Sequence, residues 1–233
     1  MTAGGPAGGL NHVGQESSAA CDSIPRWGDC RRARVGLLGG SFNPAHDGHL
    51  HVARIARRRL GLDQVWLLVS PGNPLKPTKG MAPLAERLAS ARGIADGRRV
   101  VATAIEARLR TRYTVDTVRT LCLRFPRVDF VWLMGADNLV QLPRWRRWRE
   151  IVAQVVFAVL PRPTYNHRAL ASRAAHRLRD ARLPVHAAPV LAGLPAPRWV
   201  FLPAAQHAAS ATAIRLALSG VQDHRPQAAR PPV

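Results

Sequence analysis

Cysteine is scarce in this chain: the 233 residues contain three, Cys21, Cys30 and Cys122. They are widely spaced and form no C-x-x-C pair, so we expect neither a zinc site nor a disulfide framework. This usage is typical of a reducing compartment and predicts a cytoplasmic protein. No uninterrupted apolar run reaches the roughly 18–20 residues that cross a bilayer. The amino-terminal segment also lacks the basic start and apolar core of a signal peptide, so we expect neither membrane insertion nor export.

Acidic residues are few, 14 against 34 basic ones, which gives a formal net charge of +20. Only Lys76 and Lys79 are lysines, and the arginines are spread over nearly every predicted helix. Clustered arginines would favour nucleic-acid binding, but no zinc finger, RNP-type aromatic pattern or helix-turn-helix accompanies them. We therefore expect solvated helix faces that also attract anionic nucleotides, and no nucleic-acid partner. A basic nucleic-acid-binding protein is the alternative from a different functional class.

Apolar runs and helical patterns alternate along the chain. Predicted strands cover residues 35–38, 64–69, 100–104, 129–134, 155–160 and 199–202. Predicted helices cover residues 49–60, 83–96, 114–125, 138–141, 145–152, 167–181 and 210–219. This order predicts βαβ units and one α/β domain, residues 34–220, built on a doubly wound parallel sheet. The Gly/Ala/Ser-rich residues 1–33 and residues 221–233 are expected to be loose tails, and 184–190 fits either an extended segment or a loop.

The most informative stretch is VGLLGGSFNPAHDGHL, residues 35–50. A short apolar strand leads into Gly39 and Gly40, whose missing side chains let a phosphate approach the backbone N–H groups. A helix begins shortly afterwards, and its N-terminus favours anions. His46 and His49 stand at that helix start, where two imidazoles can donate further hydrogen bonds. The stretch therefore predicts a site for the phosphates of a nucleotide.

Three further motifs fall at related places in the predicted fold. SPGNPLK (residues 70–76) follows the second strand, MGADNL (134–139) with Trp145 follows the fourth, and SATAIR (210–215) begins the last helix. Ligands of open parallel sheets bind outside the carboxyl ends of the strands. All four motifs are expected at that edge, which predicts a single site.

In order and spacing, these motifs resemble the H-x-G-H nucleotidyltransferases, and among them the bacterial nicotinate-nucleotide adenylyltransferases. The match covers about residues 34–220, and the GADN segment with Trp145 is what points to the pyridine-nucleotide branch. The resemblance implies a Rossmann-like nucleotidyltransferase fold. It also implies transfer of the adenylyl group of ATP to nicotinate mononucleotide, giving nicotinate adenine dinucleotide and pyrophosphate in NAD biosynthesis.

The same resemblance assigns roles to individual residues. The implied catalytic residues are His46, His49 and Arg215. The implied contacts to the phosphates of ATP come from Gly39, Gly40, Ser41, Phe42, Asn43, Ser210 and Thr212. The attacking 5′-phosphate is already an anion, so no general base is implied and catalysis is expected to rest on positioning and charge stabilisation. For Arg215, a surface arginine is the structural alternative.

For the mononucleotide, the implied contacts are Lys76, Tyr113, Thr114, Asp137, Trp145 and Arg146. Trp145 is implied to stack on the pyridine ring, with Tyr113 and Thr114 near the carboxylate. Three of these six residues have a structural alternative: Asp137 as a helix N-cap, Trp145 as a core residue, and Lys76 as a solvated loop residue.

The chain departs from the family pattern at three positions. Ala209 replaces the customary Ile, Ala211 stands where many relatives have Ser or Thr, and Arg146 stands where some have an aromatic residue. No carboxylate pair stands out as a metal site, so we expect Mg²⁺ to be carried mainly by ATP. Nicotinamide mononucleotide and phosphopantetheine are the alternative acceptors, although the latter's enzymes typically have Asp-Pro where this chain has residues 43–44. The oligomeric state is left open.

Overall fold

The computed structural model describes residues 24–72 and 80–204. Within them the strands form one seven-stranded sheet in the order β3-β2-β1-β4-β5-β7-β6, and every pair is parallel. The strands are β1 (Ala33–Gly40), β2 (Gln64–Val69), β3 (Val100–Thr103), β4 (Val128–Gly135), β5 (Val156–Leu160), β6 (Arg182–Leu183) and β7 (Trp199–Phe201).

Helices connect these strands and cover both faces of the sheet. They are α1 (Asp47–Arg59), α2 (Leu84–Ile94), α3 (Ile105–Leu109), α4 (Thr114–Arg124), α5 (Ala136–Gln141), α6 (Trp148–Gln154), α7 (Asn166–Leu170) and α8 (Arg173–Arg177). Short 3₁₀ segments cover 142–144, 179–181 and 185–193. None of the helices in the described ranges is long and apolar enough to cross a membrane.

The central strands are buried because helices pack on both of their faces. Every residue of β5 is buried, and so is every residue of β2 after Gln64. Such continuous apolar runs are typical of parallel sheets. The core therefore has two layers, one around Trp66 and Phe125 and the other around Leu67 and Leu133.

The sheet order reverses direction at β1. The chain builds outward from β1 through β2 to β3, then returns to add β4 on the other side of β1. The loops that follow β1 and β4 therefore diverge and leave a crevice at the carboxyl edge of the sheet. This switch point is where doubly wound sheets bind ligands.

The predicted fold class is confirmed, but some predicted elements are wrong. Residues 167–181 do not form one helix: α7 ends at Leu170, and the Ser172 hydroxyl accepts a bond from the Ala175 N–H (3.2 Å) to start α8. Residues 185–193 form a 3₁₀ segment that contains Pro189, which has no N–H to donate. The short helix α3 is absent from the sequence prediction. The predicted helix at 210–219 lies outside the described residues.

The segment before β1 packs on the domain. Ile24 is 1% exposed, and its carbonyl accepts a hydrogen bond from the Arg108 guanidinium (2.7 Å). The Arg26 carbonyl accepts one from Arg124. Ile24 and Arg26 therefore contact the domain, although they belong to the segment that the sequence suggested to be a loose tail.

Candidate active site

The two histidines of the H-x-G-H motif lie side by side at the start of α1. Their ring centroids are 3.9 Å apart, with an angle of 39° between the rings. His46 is the N-cap residue and is buried, and its backbone N–H donates to Nδ1 of His49 (3.3 Å). Because Nδ1 accepts, the neutral His49 ring carries its proton on Nε2 and can donate from there. A donor at the N-terminus of a 13-residue helix suits an anionic oxygen.

The turn between β1 and α1 is held by side chains that the sequence assigned to phosphate binding. Phe42 has a left-handed backbone (φ +48°), is 1% exposed, and its ring centroid lies 4.8 Å from that of His49. The Asn43 amide donates to the Gly80 carbonyl (2.9 Å) and accepts from the Ala82 N–H (3.2 Å). In this structure both side chains thus fix the shape of the turn that presents the histidines.

Arg87, which the sequence prediction omitted, fastens the two loops that follow β1 and β2. The residue is 3% exposed, and its guanidinium donates to the carbonyls of Ser41 (2.8 Å), Ser70 (2.7 Å) and Ala82 (2.8 Å). Burial lowers the pKa of this guanidinium. In a chain so rich in arginine, no sequence signal separates Arg87 from its exposed neighbours.

A cavity of about 350 Å³ opens between these loops and the start of α4. We call it the edge cavity, because it lies at the carboxyl edge of β1, β2 and β4. It brings together seven of the residues singled out from the sequence: Gly39, Gly40, Ser41, Tyr113, Thr114, Trp145 and Arg146.

Aromatic rings and arginines form one side of the edge cavity. Trp145 meets Trp132 edge-on, with ring centroids 6.3 Å apart. The guanidinium of Arg146 lies 4.6 Å from the Tyr113 ring centroid, and that of Arg112 lies 5.8 Å from it. The buried Trp132 Nε1–H has no hydrogen-bond acceptor among the described residues. This wall combines stacking surfaces with positive charge, as an anionic aromatic ligand requires.

Close packing explains Gly39 beside this wall. A Cβ at that position would lie 3.1 Å from the edge of the Trp132 ring. The backbone at the end of β1 therefore lies nearer to the Trp132 ring than a residue with a Cβ would allow without a shift.

Glu106 is a second residue that the sequence prediction missed. It lines the edge cavity, is 8% exposed, and its Oε1 accepts from the Thr117 hydroxyl (3.1 Å). Burial is the largest influence on this carboxyl and raises its pKa to about 7. Glu106 lies on α3, the element absent from the sequence prediction, so no motif drew attention to it.

Asp137 and Arg162 meet beyond the ends of two neighbouring strands. Gly135, the last residue of β4, pairs with Leu160, the last residue of β5. Asp137 and Arg162 each come two residues later and therefore lie side by side. Nε of Arg162 is 3.7 Å from Oδ1 of Asp137. Asp137 is not an N-cap, because Gly135 holds that position and α5 begins at Ala136. That structural alternative is wrong.

Four of the proposed site residues, Lys76, Ser210, Thr212 and Arg215, lie outside the described residues. Within residues 24–72 and 80–204, no group of three or more His, Cys, Asp or Glu side chains could hold a metal ion.

Comparison with known proteins identifies the family of this chain. The chain matches the cytidylyltransferase-like family over residues 37–217. It is 62% identical over 193 residues to the "Probable nicotinate-nucleotide adenylyltransferase" of Gluconacetobacter diazotrophicus, covering 83% of this chain and 90% of that protein. The protein of the same name from Gluconobacter oxydans is 62% identical over 182 residues, covering 78% and 93%. This chain belongs to the nicotinate-nucleotide adenylyltransferases. The resemblance inferred from the motifs is confirmed at the level of the family and of the nucleotidyltransferase class.

Solved structures show the same fold at low identity. The Plasmodium falciparum nicotinic acid mononucleotide adenylyltransferase complexed with APC has a TM-score of 0.58 at 13% identity, covering 79% of this chain and 83% of the parasite chain. Its complex with NaAD has a TM-score of 0.59 at 14% identity, covering 80% and 83%. This chain and the Plasmodium falciparum protein therefore have similar folds although few of their residues are identical.

Proposed function

We propose that this chain transfers the adenylyl group of ATP to nicotinate mononucleotide, giving nicotinate adenine dinucleotide and pyrophosphate. The observation that carries the proposal is the pair of adjoining imidazoles at the start of α1, shortly after Gly39, Gly40 and Ser41, which line the edge cavity. The names of the relatives at 62% identity support the same reaction.

In the proposed reaction, an oxygen of the 5′-phosphate attacks the α-phosphorus of ATP. A new P–O bond forms, the bond from the α-phosphorus to the oxygen that bridges to the β-phosphorus breaks, and its electron pair leaves with pyrophosphate. The nucleophile is already an anion, so no proton has to be removed. His46 and His49 would stabilise the charge that builds on the α-phosphate and bridging oxygens, as donors preorganised by their mutual contact.

The edge cavity is proposed to hold the mononucleotide. Trp145 offers a half-buried face for stacking on the pyridine ring. Tyr113 is the N-cap of the 11-residue helix α4, and the first N–H groups of that helix can bind the nicotinate carboxylate. Arg146, at the Tyr113 ring, adds positive charge on the same side. These groups favour the acid over the amide.

The remaining assignments are part of the same proposal. Arg215, Ser210 and Thr212 are proposed to hold the β- and γ-phosphates of ATP, and Lys76 a substrate phosphate. Mg²⁺ would enter as MgATP, bound mainly by phosphate oxygens and water, because it gives up its water reluctantly. We also propose a cytoplasmic location, where these nucleotide substrates occur.

Pyrophosphate release by the purified chain tests the proposed function. MgATP is supplied with nicotinate mononucleotide, nicotinamide mononucleotide or phosphopantetheine, and the dinucleotide is identified by chromatography. Turnover is expected with the nicotinate compound and at least tenfold less with either alternative. Retention of RNA at moderate salt is measured in parallel. Salt-sensitive RNA binding without turnover of any acceptor would reverse the assignment in favour of a nucleic-acid-binding protein.

A further inference from the structure

Glu106 places a carboxyl in the wall of the edge cavity. The groups within hydrogen-bond reach of its carboxyl are hydroxyls: Thr117 donates to Oε1 over 3.1 Å, and the Ser70 hydroxyl, which donates to the Gly72 carbonyl (3.1 Å), also contacts the carboxyl. The residue is 8% exposed. A buried carboxylate held by neutral donors is less favourable than one held by a cation, because hydroxyls replace only part of its hydration.

The other charged side chains in the described wall of the edge cavity are cationic: Arg112, Arg144 and Arg146. Arg112 and Arg146 lie against the Tyr113 ring, and the three arginines all line the cavity. They attract an anionic substrate into the space beside Glu106. The result is a cavity that draws in negative charge while holding one carboxyl in its own wall.

Charged groups on the neighbouring elements are directed elsewhere. On α2, Arg87 donates to the Ser70 carbonyl. On α3, Arg108 donates to the Ile24 carbonyl, and Asp116 near the start of α4 does not line the cavity. An anion that enters the edge cavity would add a negative charge beside Glu106, which lines it.

We propose that Glu106 couples substrate binding to proton uptake: its carboxyl gains a proton from solvent when an anionic pyridine mononucleotide enters the edge cavity. The inference rests on the proposed function. Two negative charges a few ångströms apart repel strongly in a partly dry cavity, whereas a neutral carboxyl repels nothing and can donate a hydrogen bond.

The pKa of about 7 supports this coupling, because a modest additional cost of ionisation then changes the protonation state near neutral pH. Binding is expected to weaken above that pH, since the proton becomes harder to obtain. The KM for the mononucleotide should rise by up to about tenfold per pH unit. Below about pH 7, Glu106 is already protonated before the mononucleotide binds, so the KM should become independent of pH.

Isothermal titration calorimetry counts the protons. Nicotinate mononucleotide is titrated at about pH 8 in two buffers of different ionisation enthalpy into the wild type, Glu106→Gln and the control Glu86→Gln. Glu86 is exposed on α2, so the control removes the same charge away from the cavity. For each mononucleotide bound, the wild type and the control are expected to take up at least about half a proton more than Glu106→Gln does. Titration of the substrate's own phosphate is common to all three proteins and cancels.

Equal proton counts in the wild type and Glu106→Gln would overturn the coupling and leave the proposed function intact. No binding of the mononucleotide to the wild type would overturn both. If Glu106→Gln does not fold, carbon-13 NMR of the glutamate carboxyls in the wild type reports whether one of them becomes protonated on binding. One carboxyl is expected to move to its protonated shift on binding, and the absence of that movement counts against the proposal.

Discussion

The backbone N–H of His46 donates to Nδ1 of His49 over 3.3 Å, so the residue that carries the first imidazole also orients the second. The two rings are preorganised before any substrate is present. A preorganised donor stabilises developing charge without reorganisation during the reaction.

His49→Ala is expected to lower kcat by about two to four orders of magnitude, because it removes a donor to the charged transition state. The matched control is His51→Ala, on the same helix but lining a different surface with Arg54. Steady-state kinetics and circular dichroism are measured on both. A loss of activity shared equally by the two variants, or none in His49→Ala, would remove His49 from the site.

Arg87→Met is expected to destabilise the protein by about 3 kcal/mol or more. The carbonyls of Ser41, Ser70 and Ala82 lose their donor in a partly buried setting. Urea unfolding measures the change, with Arg92→Met on the same helix as the control. The KM for ATP should also rise, since the loops after β1 and β2 are no longer tied. A free energy of unfolding equal to that of the control would contradict the fastening role.

Gly135→Ala is expected to reduce kcat/KM by about tenfold or more with little loss of stability. A Cβ at that position would lie 2.4 Å from Oδ1 of Asp137 and 3.0 Å from Nε of Arg162. The carboxylate must therefore turn away from its present place. Gly93→Ala is the control, because open space surrounds Gly93 and alanine favours its helix by about 0.5–1 kcal/mol. Wild-type kinetics in Gly135→Ala would place Asp137 outside the reaction.

Stability should depend on pH through Glu106. Its pKa in the folded protein, about 7, lies above the ordinary value of 4.5, so the folded state binds more protons than the unfolded state between these values. The free energy of unfolding therefore falls as pH rises through that window, by on the order of 3 kcal/mol from this group. Glu106→Gln cannot ionise and should lack this decline. Urea unfolding at about pH 5, 6, 7 and 8 checks it, and parallel curves for both proteins would exclude the effect.

The site was predictable where chemistry follows a local pattern. His46 and His49 stand three residues apart, the spacing at which an N-cap side chain and that of the third helical residue meet. Gly39 directly follows a continuous apolar run, which indicates a loop at the carboxyl edge of a parallel sheet. Tyr113 and Trp145 came from the resemblance to a family, and the structure places both in the edge cavity.

Glu106 and Arg87 escaped prediction for a different reason. Each has an ordinary sequence environment, and burial among distant loops is what makes it unusual. The Arg87 guanidinium binds Ser41, 46 residues away in the chain, and the Glu106 carboxyl accepts from Thr117, 11 residues away. Asp137 and Arg162 likewise meet only because Gly135 and Leu160 are paired in the sheet.

The sequence by itself determined the alternation of strands and helices, the parallel sheet, and the glycine-rich turn before α1. These features depend on apolar periodicity and on contacts between residues close in sequence, so a short stretch of sequence is enough to predict each of them. Only the tertiary structure decided which polar groups lose water and which loops share a wall. Desolvation and long-range register depend on the assembled fold, so the protonation of Glu106 and the meeting of Asp137 with Arg162 appear at that level.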